Sequence, residues 1–194
     1  AKHNHEIIFT RSATEALNLV SSSYGKLSLK PGDEVLVSIL EHHSSLVPWQ
    51  EVCKQYGATL KVIDVSDDGM LDISSLDDQL TDKVKMVVVM HVSNVIGVIN
   101  PIKDIVAMAH AKDIPVTVDG TQAVPHLNVD VVDLDCDFYV FSGHKMYGPT
   151  GIGVLYGKEQ WLRKMPPYQF GGDMIRAVSF EETEYNDLPH KFEA

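Results

Sequence analysis

Cysteine is scarce in these 194 residues, with Cys53 and Cys136 the only two. Two thiols cannot build a disulfide framework for a chain of this size, and such usage fits a reducing compartment: the cytoplasm, with an organelle matrix or plastid as variants. No apolar run approaches the roughly 20 residues that a membrane-spanning helix needs, so no membrane partner is expected. Basic residues are outnumbered, with 16 Lys and Arg against 27 Asp and Glu and a formal net charge of -11. Nucleic-acid binders need a concentrated basic face, so that class of partner is not expected either. No Cys-x-x-Cys or His-Glu-x-x-His spacing occurs, and the adjacent His42 and His43 do not converge on one ion as helical i, i+4 pairs do; no metal site is expected. Internal repeats and low-complexity tracts are also missing.

What is present is the make-up of a globular domain, 44% hydrophobic and 22% charged. Seven β-rich runs recur, at 7–10, 34–38, 59–63, 84–90, 115–119, 138–142 and 151–156. Helical spacing fills 13–24, 45–56 and 102–111, each beginning near a Ser, Thr or Pro suited to a helix N-terminus. This alternation predicts an α/β fold, three layers in the order α/β/α around a seven-stranded, mostly parallel sheet. Val87-Val88-Val89 is apolar on consecutive residues, as expected of a central strand covered on both faces. From 165 to 194 no periodicity is visible, and a long irregular segment is expected there.

Ligands of open α/β sheets bind beyond the carboxyl ends of the strands. In this chain those positions hold Ser12 and Thr14, then Glu41, His42 and His43, then His91, Ser93 and Asn94, then Asp119 with Gln122, then Ser142-Gly143-His144-Lys145. Singly, each has an ordinary explanation: a helix cap for Ser12, Thr14 or Asp119, a satisfied core-edge histidine for His42 or His91, a surface loop for Lys145. As a set they have a common use. Hydroxyls and backbone N–H groups at a helix N-terminus hold a phosphate, and a carboxylate keeps a pyridine nitrogen protonated. A lysine leaving a buried strand end has an amine whose pKa desolvation lowers, which suits imine formation.

Five ordered motifs carry a resemblance that runs nearly end to end. They are Phe9-Thr10-Arg11-Ser12-Ala13-Thr14-Glu15, Glu41-His42-His43 with Pro48-Trp49-Gln50, His91-Val92-Ser93-Asn94-Val95 with Gly97, Val118-Asp119-Gly120-Thr121-Gln122-Ala123, and Asp135-Cys136-Asp137-Phe138 through Ser142-Gly143-His144-Lys145-Met146-Tyr147-Gly148-Pro149-Thr150-Gly151. The sequence resembles the class V aminotransferase branch of fold-type I pyridoxal 5'-phosphate (PLP) enzymes, and within it the SUF-type cysteine desulfurases and selenocysteine lyases.

The resemblance implies Lys145 as the lysine that binds the cofactor covalently, with Asp119 as partner of the pyridine nitrogen and His42 stacked on the ring. Thr14, Ser142 and His144 would hold the phosphate, Gln122 would reach the phenolic oxygen, and Asn94 would lie near the ring or the bound amino acid. Lys145 and His42 are the catalytic candidates, as proton shuttle and proton relay. The implied activity converts L-cysteine or L-selenocysteine to L-alanine, with sulfur passing to an enzyme cysteine and then to an acceptor protein for iron–sulfur cluster assembly, in a homodimer. Ala13 stands where the family often has a second threonine. Cys53 and Cys136 read as structural, so residues 1–194 are expected to be a PLP-binding large domain lacking an N-terminal segment and a C-terminal small domain that holds the nucleophile, and to be inactive alone. Another class V reaction, transamination or kynureninase-like cleavage, and a non-catalytic scaffold are the alternative readings.

Overall fold

The computed structural model describes residues 1–194. Its main sheet has seven strands: β1 (Ile7–Thr10), β2 (Glu34–Ser38), β3 (Thr59–Ile63), β4 (Val84–Met90), β5 (Val116–Asp119), β6 (Phe138–Ser142) and β7 (Gly153–Gly157). They lie in the order β1-β7-β6-β5-β4-β2-β3. Strands β2 to β6 run parallel, and β7 is antiparallel to both its neighbours, β1 and β6. The carboxyl ends of β1, β2, β4, β5 and β6 therefore open on one edge.

Successive side chains of the inner strands are buried on opposite faces, as consecutive apolar residues require. Val35, Val37, Met86 and Val88 face the layer made by α1 (Ala13–Ser28) and α2 (His43–Tyr56). Leu36, Val87 and Val89 face α3 (Leu76–Gln79) and α4 (Ile102–His110). The three-layer architecture expected from the sequence is the one observed. Two short helices, α5 (Val131–Leu134) and α6 (Glu159–Lys164), complete the set; with α3 they are too brief to leave a periodic signature in the sequence.

One expectation is corrected. The stretch 165–194 is not irregular throughout: β8 (Ile175–Val178) and β9 (Thr183–Tyr185) pair antiparallel as a separate two-stranded sheet. Arg176 stitches the hairpin by ion pairs to Glu184 and Asp187, both at 3.0 Å. Its pattern escapes notice because both strands are largely exposed, so apolar residues do not alternate along them.

Candidate functional site

The edge where the parallel strands end encloses a cleft of about 250 Å³. It is bordered by the eight residues to which the resemblance gives roles, Thr14, His42, Asn94, Asp119, Gln122, Ser142, His144 and Lys145, together with Ala13, Ser44, Met90, Val92 and Thr121, whereas Ser12, Glu41, His43, His91 and Ser93 of the strand-end set do not line it. A larger hollow of about 480 Å³ lies between Phe9, Tyr168 and Phe192. Its one arginine, Arg11, is paired with Glu15 at 2.6 Å, so the larger volume lacks free cationic chemistry.

One wall of the cleft is the N-terminus of α1. Ser12 caps the helix by accepting from Glu15 N at 3.2 Å. Ser142 Oγ, at the end of β6, accepts from Ala13 N at 2.7 Å. Between these two satisfied amides, Thr14 N–H has no intrahelical acceptor and borders the cleft beside its own hydroxyl. The Ser142 hydroxyl hydrogen is also free to point outward, because its oxygen serves as the acceptor. This arrangement is a ready anion cradle at the positive end of a 16-residue helix.

The cradle depends on β7 lying directly under the β1–α1 turn. A Cβ on Gly153 would stand 2.4 Å from the Ser12 carbonyl carbon and 2.6 Å from its Cα, backbone that cannot step aside cheaply. Gly153→Ala is therefore expected to destabilise the fold by about 1–3 kcal/mol and to pull Ala13 N off Ser142. Urea unfolding measures the first effect and phosphate affinity the second.

The opposite wall is Asp119, which is 4% exposed. One carboxylate oxygen accepts from Thr121 N at 2.9 Å. Burial pushes its pKa up, while the contacts from Thr121 and the charge of His42 pull it down. A buried carboxyl with so little counter-charge would be stabilised by a cationic group bound in the cleft. Behind it, Gly120 lets the chain pass against the Tyr139 ring, which a Cβ would meet at 1.9 Å. Tyr139 in turn hydrogen-bonds His91 Nδ1 at 2.9 Å, and burial lowers the pKa of that imidazole.

His42 stands at the head of α2, its Nδ1 accepting from Ser44 N at 3.1 Å. That bond leaves Nε2 as the protonated nitrogen of the neutral ring. Lys145 and His144 lie in a single 3-10 turn, Gly143–Lys145, immediately after β6. Here the sequence expectation is corrected in part: the strand is buried, but Lys145 itself is exposed, because the turn carries it out of the sheet. Thr121 is the residue that sequence reasoning missed. Its hydroxyl is buried, near enough to Asp119 to favour the carboxylate but completing no well-formed hydrogen bond, and its place directly after Asp119-Gly120 was the signal that could have found it.

Neither cysteine belongs to the cleft. Cys53 is buried in α2 and Cys136 ahead of β6, with burial pushing their thiols up to about 11 and about 12. Both stay protonated at neutral pH and are poor nucleophiles.

Residues 1–194 match the family model described as Aminotransferase class-V. A cysteine desulfurase of Dickeya dadantii is 52% identical over 97% of this chain and 46% of its own. The crystal structure of the cysteine desulfurase CsdA from Escherichia coli superposes with a TM-score of 0.97 at 41% identity, over 99% of this chain and 48% of that one. A variant of C-DES with glycine covalently linked to its PLP cofactor superposes at 0.87 and 25% identity, over 97% of this chain and 50% of that one. The chain spans about half the length of the curated relatives it matches.

Proposed function

The chain belongs to the class-V aminotransferase family, and from that premise we propose that it forms the cofactor-binding part of a PLP-dependent cysteine desulfurase, which releases L-alanine from L-cysteine and passes the sulfur to a thiol. The observation that carries this reading is the convergence on one cleft of an open helix N-terminus, a buried carboxyl and a lysine. The fit to the cofactor rests on groups left incomplete in the structure: the unpartnered Thr14 N–H, the buried orphan hydroxyl of Thr121 and the under-compensated Asp119. Bound there, PLP supplies a protonated pyridine ring that withdraws electrons from the α-carbon of an attached amino acid.

The chain's own residues divide the remaining work. Thr14, Ser142 and His144 would hold the phosphate, Asp119 the ring nitrogen, Gln122 the phenolic oxygen and His42 the ring face, with Asn94 beside the amino acid. Lys145 would be the covalent anchor and then the base that moves a proton at its Nζ, and His42 Nε2 a relay for the sulfur group. The accepting thiol is assigned to another part of the whole protein, since Cys53 and Cys136 are buried and protonated. The resemblance of the five motifs supports extending the proposal to L-selenocysteine as a second substrate, a separate sulfur-acceptor protein, iron–sulfur cluster assembly, a homodimer and the cytoplasm.

The test is to add PLP, record the visible spectrum, reduce with borohydride and map the modified peptide. Label on Lys145 supports the reading, and label scattered over other lysines overturns it. Asp119→Asn keeps the acceptor for Thr121 N but removes the charge. It is expected to weaken PLP binding roughly tenfold to a hundredfold in an absorbance titration.

A further inference from the structure

Glu41 is the buried carboxyl at this edge to which the proposed chemistry gives no task. It lies between β2 and the α2 cap residue His42 and is 8% exposed. Ser38 Oγ donates to its Oε1 at 2.6 Å. Its Oε2 and the Ser45 hydroxyl are both fully buried and complete no well-formed hydrogen bond, although Ser45 and the Met90 amide are near enough to favour the ionised form. Burial outweighs them and the charge of Asp119 acts in the same direction, so the acid is pushed up to about 7. The surrounding elements carry Asp119 at the end of β5, His42 and His43 at the head of α2, His91 after β4 and the exposed Asp64 after β3. Of these, Asp119 is the group whose charge raises Glu41.

Were both ionised, the buried Glu41 and Asp119 would each raise the other's proton affinity and work against a charged Asp119. A protonated Glu41 removes that conflict. Its Oε2–H also becomes a donor, giving the orphaned Ser45 oxygen a partner while Oε1 keeps the Ser38 bond.

We infer that Glu41 is a positioning residue that works as an uncharged acid: it clamps the end of β2 to the first turn of α2 through Ser38 and Ser45, sets His42 at the cleft and spares Asp119, the one carboxylate bordering the cleft, a buried neighbour of the same charge. A satisfied buried network of this kind fixes one geometry. The inference rests on the cofactor reading only for what His42 and Asp119 face.

The experiment compares wild type, Glu41→Gln and Glu41→Ala by thermal unfolding of the cofactor-free protein across pH and by PLP titration. Between pH 4.5 and about 7 the unfolded chain has released the Glu41 proton while the folded chain keeps it. Rising pH therefore destabilises wild type through that window, and the loss levels off above it. Gln carries no such proton, so the melting temperature of Glu41→Gln relative to wild type is expected to rise by at least about 3 °C across the window. Taking this difference cancels contributions from titrating groups that do not sense the charge of Glu41. Gln also preserves the clamp and is expected to bind PLP within about threefold of wild type, against about tenfold weaker binding for Glu41→Ala. A flat difference across the window overturns the inference, because it means that Glu41 is ionised in the fold. Equal loss of PLP affinity in Gln and Ala overturns it as well, because the charge and not the hydrogen bonds would then matter. If wild type itself fails to bind PLP, the cofactor reading falls, and the melting comparison still decides the state of Glu41.

Discussion

Replacing Lys145 with alanine is expected to abolish the borohydride-fixed cofactor label and, in the whole protein, to lower turnover by about 10²–10⁴-fold. Both effects follow from its place in the structure. The turn that carries it is fixed without its side chain: Gly143 N donates to Ile152 O and Gly148 N to Gly143 O, each at 2.9 Å. Because Lys145 is exposed, its truncation empties no core, and the melting temperature should correspond to a change within about 0.5 kcal/mol of wild type. A folded protein that binds PLP only reversibly is therefore the expected product. Retained borohydride labelling at the same stoichiometry in Lys145→Ala would assign the anchor to another lysine and remove the basis of the functional reading.

The largest effect on stability is expected at the far edge of the sheet. Asp137, whose side chain is 3% exposed, precedes β6 and receives Val116 N, Trp161 Nε1 and His110 Nε2, each at 2.8 Å, with Lys158 Nζ at 3.6 Å. It joins the start of β5, α6 and the end of α4, three elements with no other polar tie of this depth. Asp137→Ala strands a buried amide and an indole N–H, while His110 and Lys158 keep only Asp135, at 3.4 and 2.7 Å. It should cost about 3–5 kcal/mol in urea unfolding, with the cofactor site intact below the transition.

The pH dependence of this pair has a definite sign. The hydrogen bond that His110 Nε2 donates to Asp137 is the main cause that raises His110 above its ordinary 6.5. The stability contributed by charged His110 is thus fully present below 6.5 and is lost as pH rises through the raised value. Asp137→Ala should shrink that decline to the part that Asp135, 3.4 Å from His110 Nδ1, sustains. A decline of undiminished size in the variant would show that His110 is not its source.

How much of this could be read from the chain alone differs from element to element. The strands at 34–38, 84–90 and 138–142 coincide with the observed β2, β4 and β6, because a parallel strand buried on both faces must be apolar without alternation, and the run at 59–63 coincides with β3, a mostly exposed edge strand. The start of α1 was legible from Ser12, since caps act within a single turn, whereas α2 begins at His43, two residues before the expected start at 45, because a histidine caps it. The strand ends on one edge of an α/β sheet converge whatever the rest of the chain does, which brought the candidates to one place, but the resemblance was needed to separate the eight that border the cleft from Ser12, Glu41, His43, His91 and Ser93, which do not.

The sequence by itself thus determined the layers, the edge that carries chemistry and the residue types placed there, all of which depend on local period and order. Only the tertiary structure decided that Ser142 bonds Ala13 across 129 positions, that β7 enters antiparallel between β1 and β6, and that Gly153 presses on Ser12. It also decided that Lys145 is exposed while Glu41 is buried beside Asp119. A single sequence records which groups are present. Hydrogen bonds, close approaches and the proton affinities of buried acids depend on the distance and dielectric between groups that folding brings together from far along the chain.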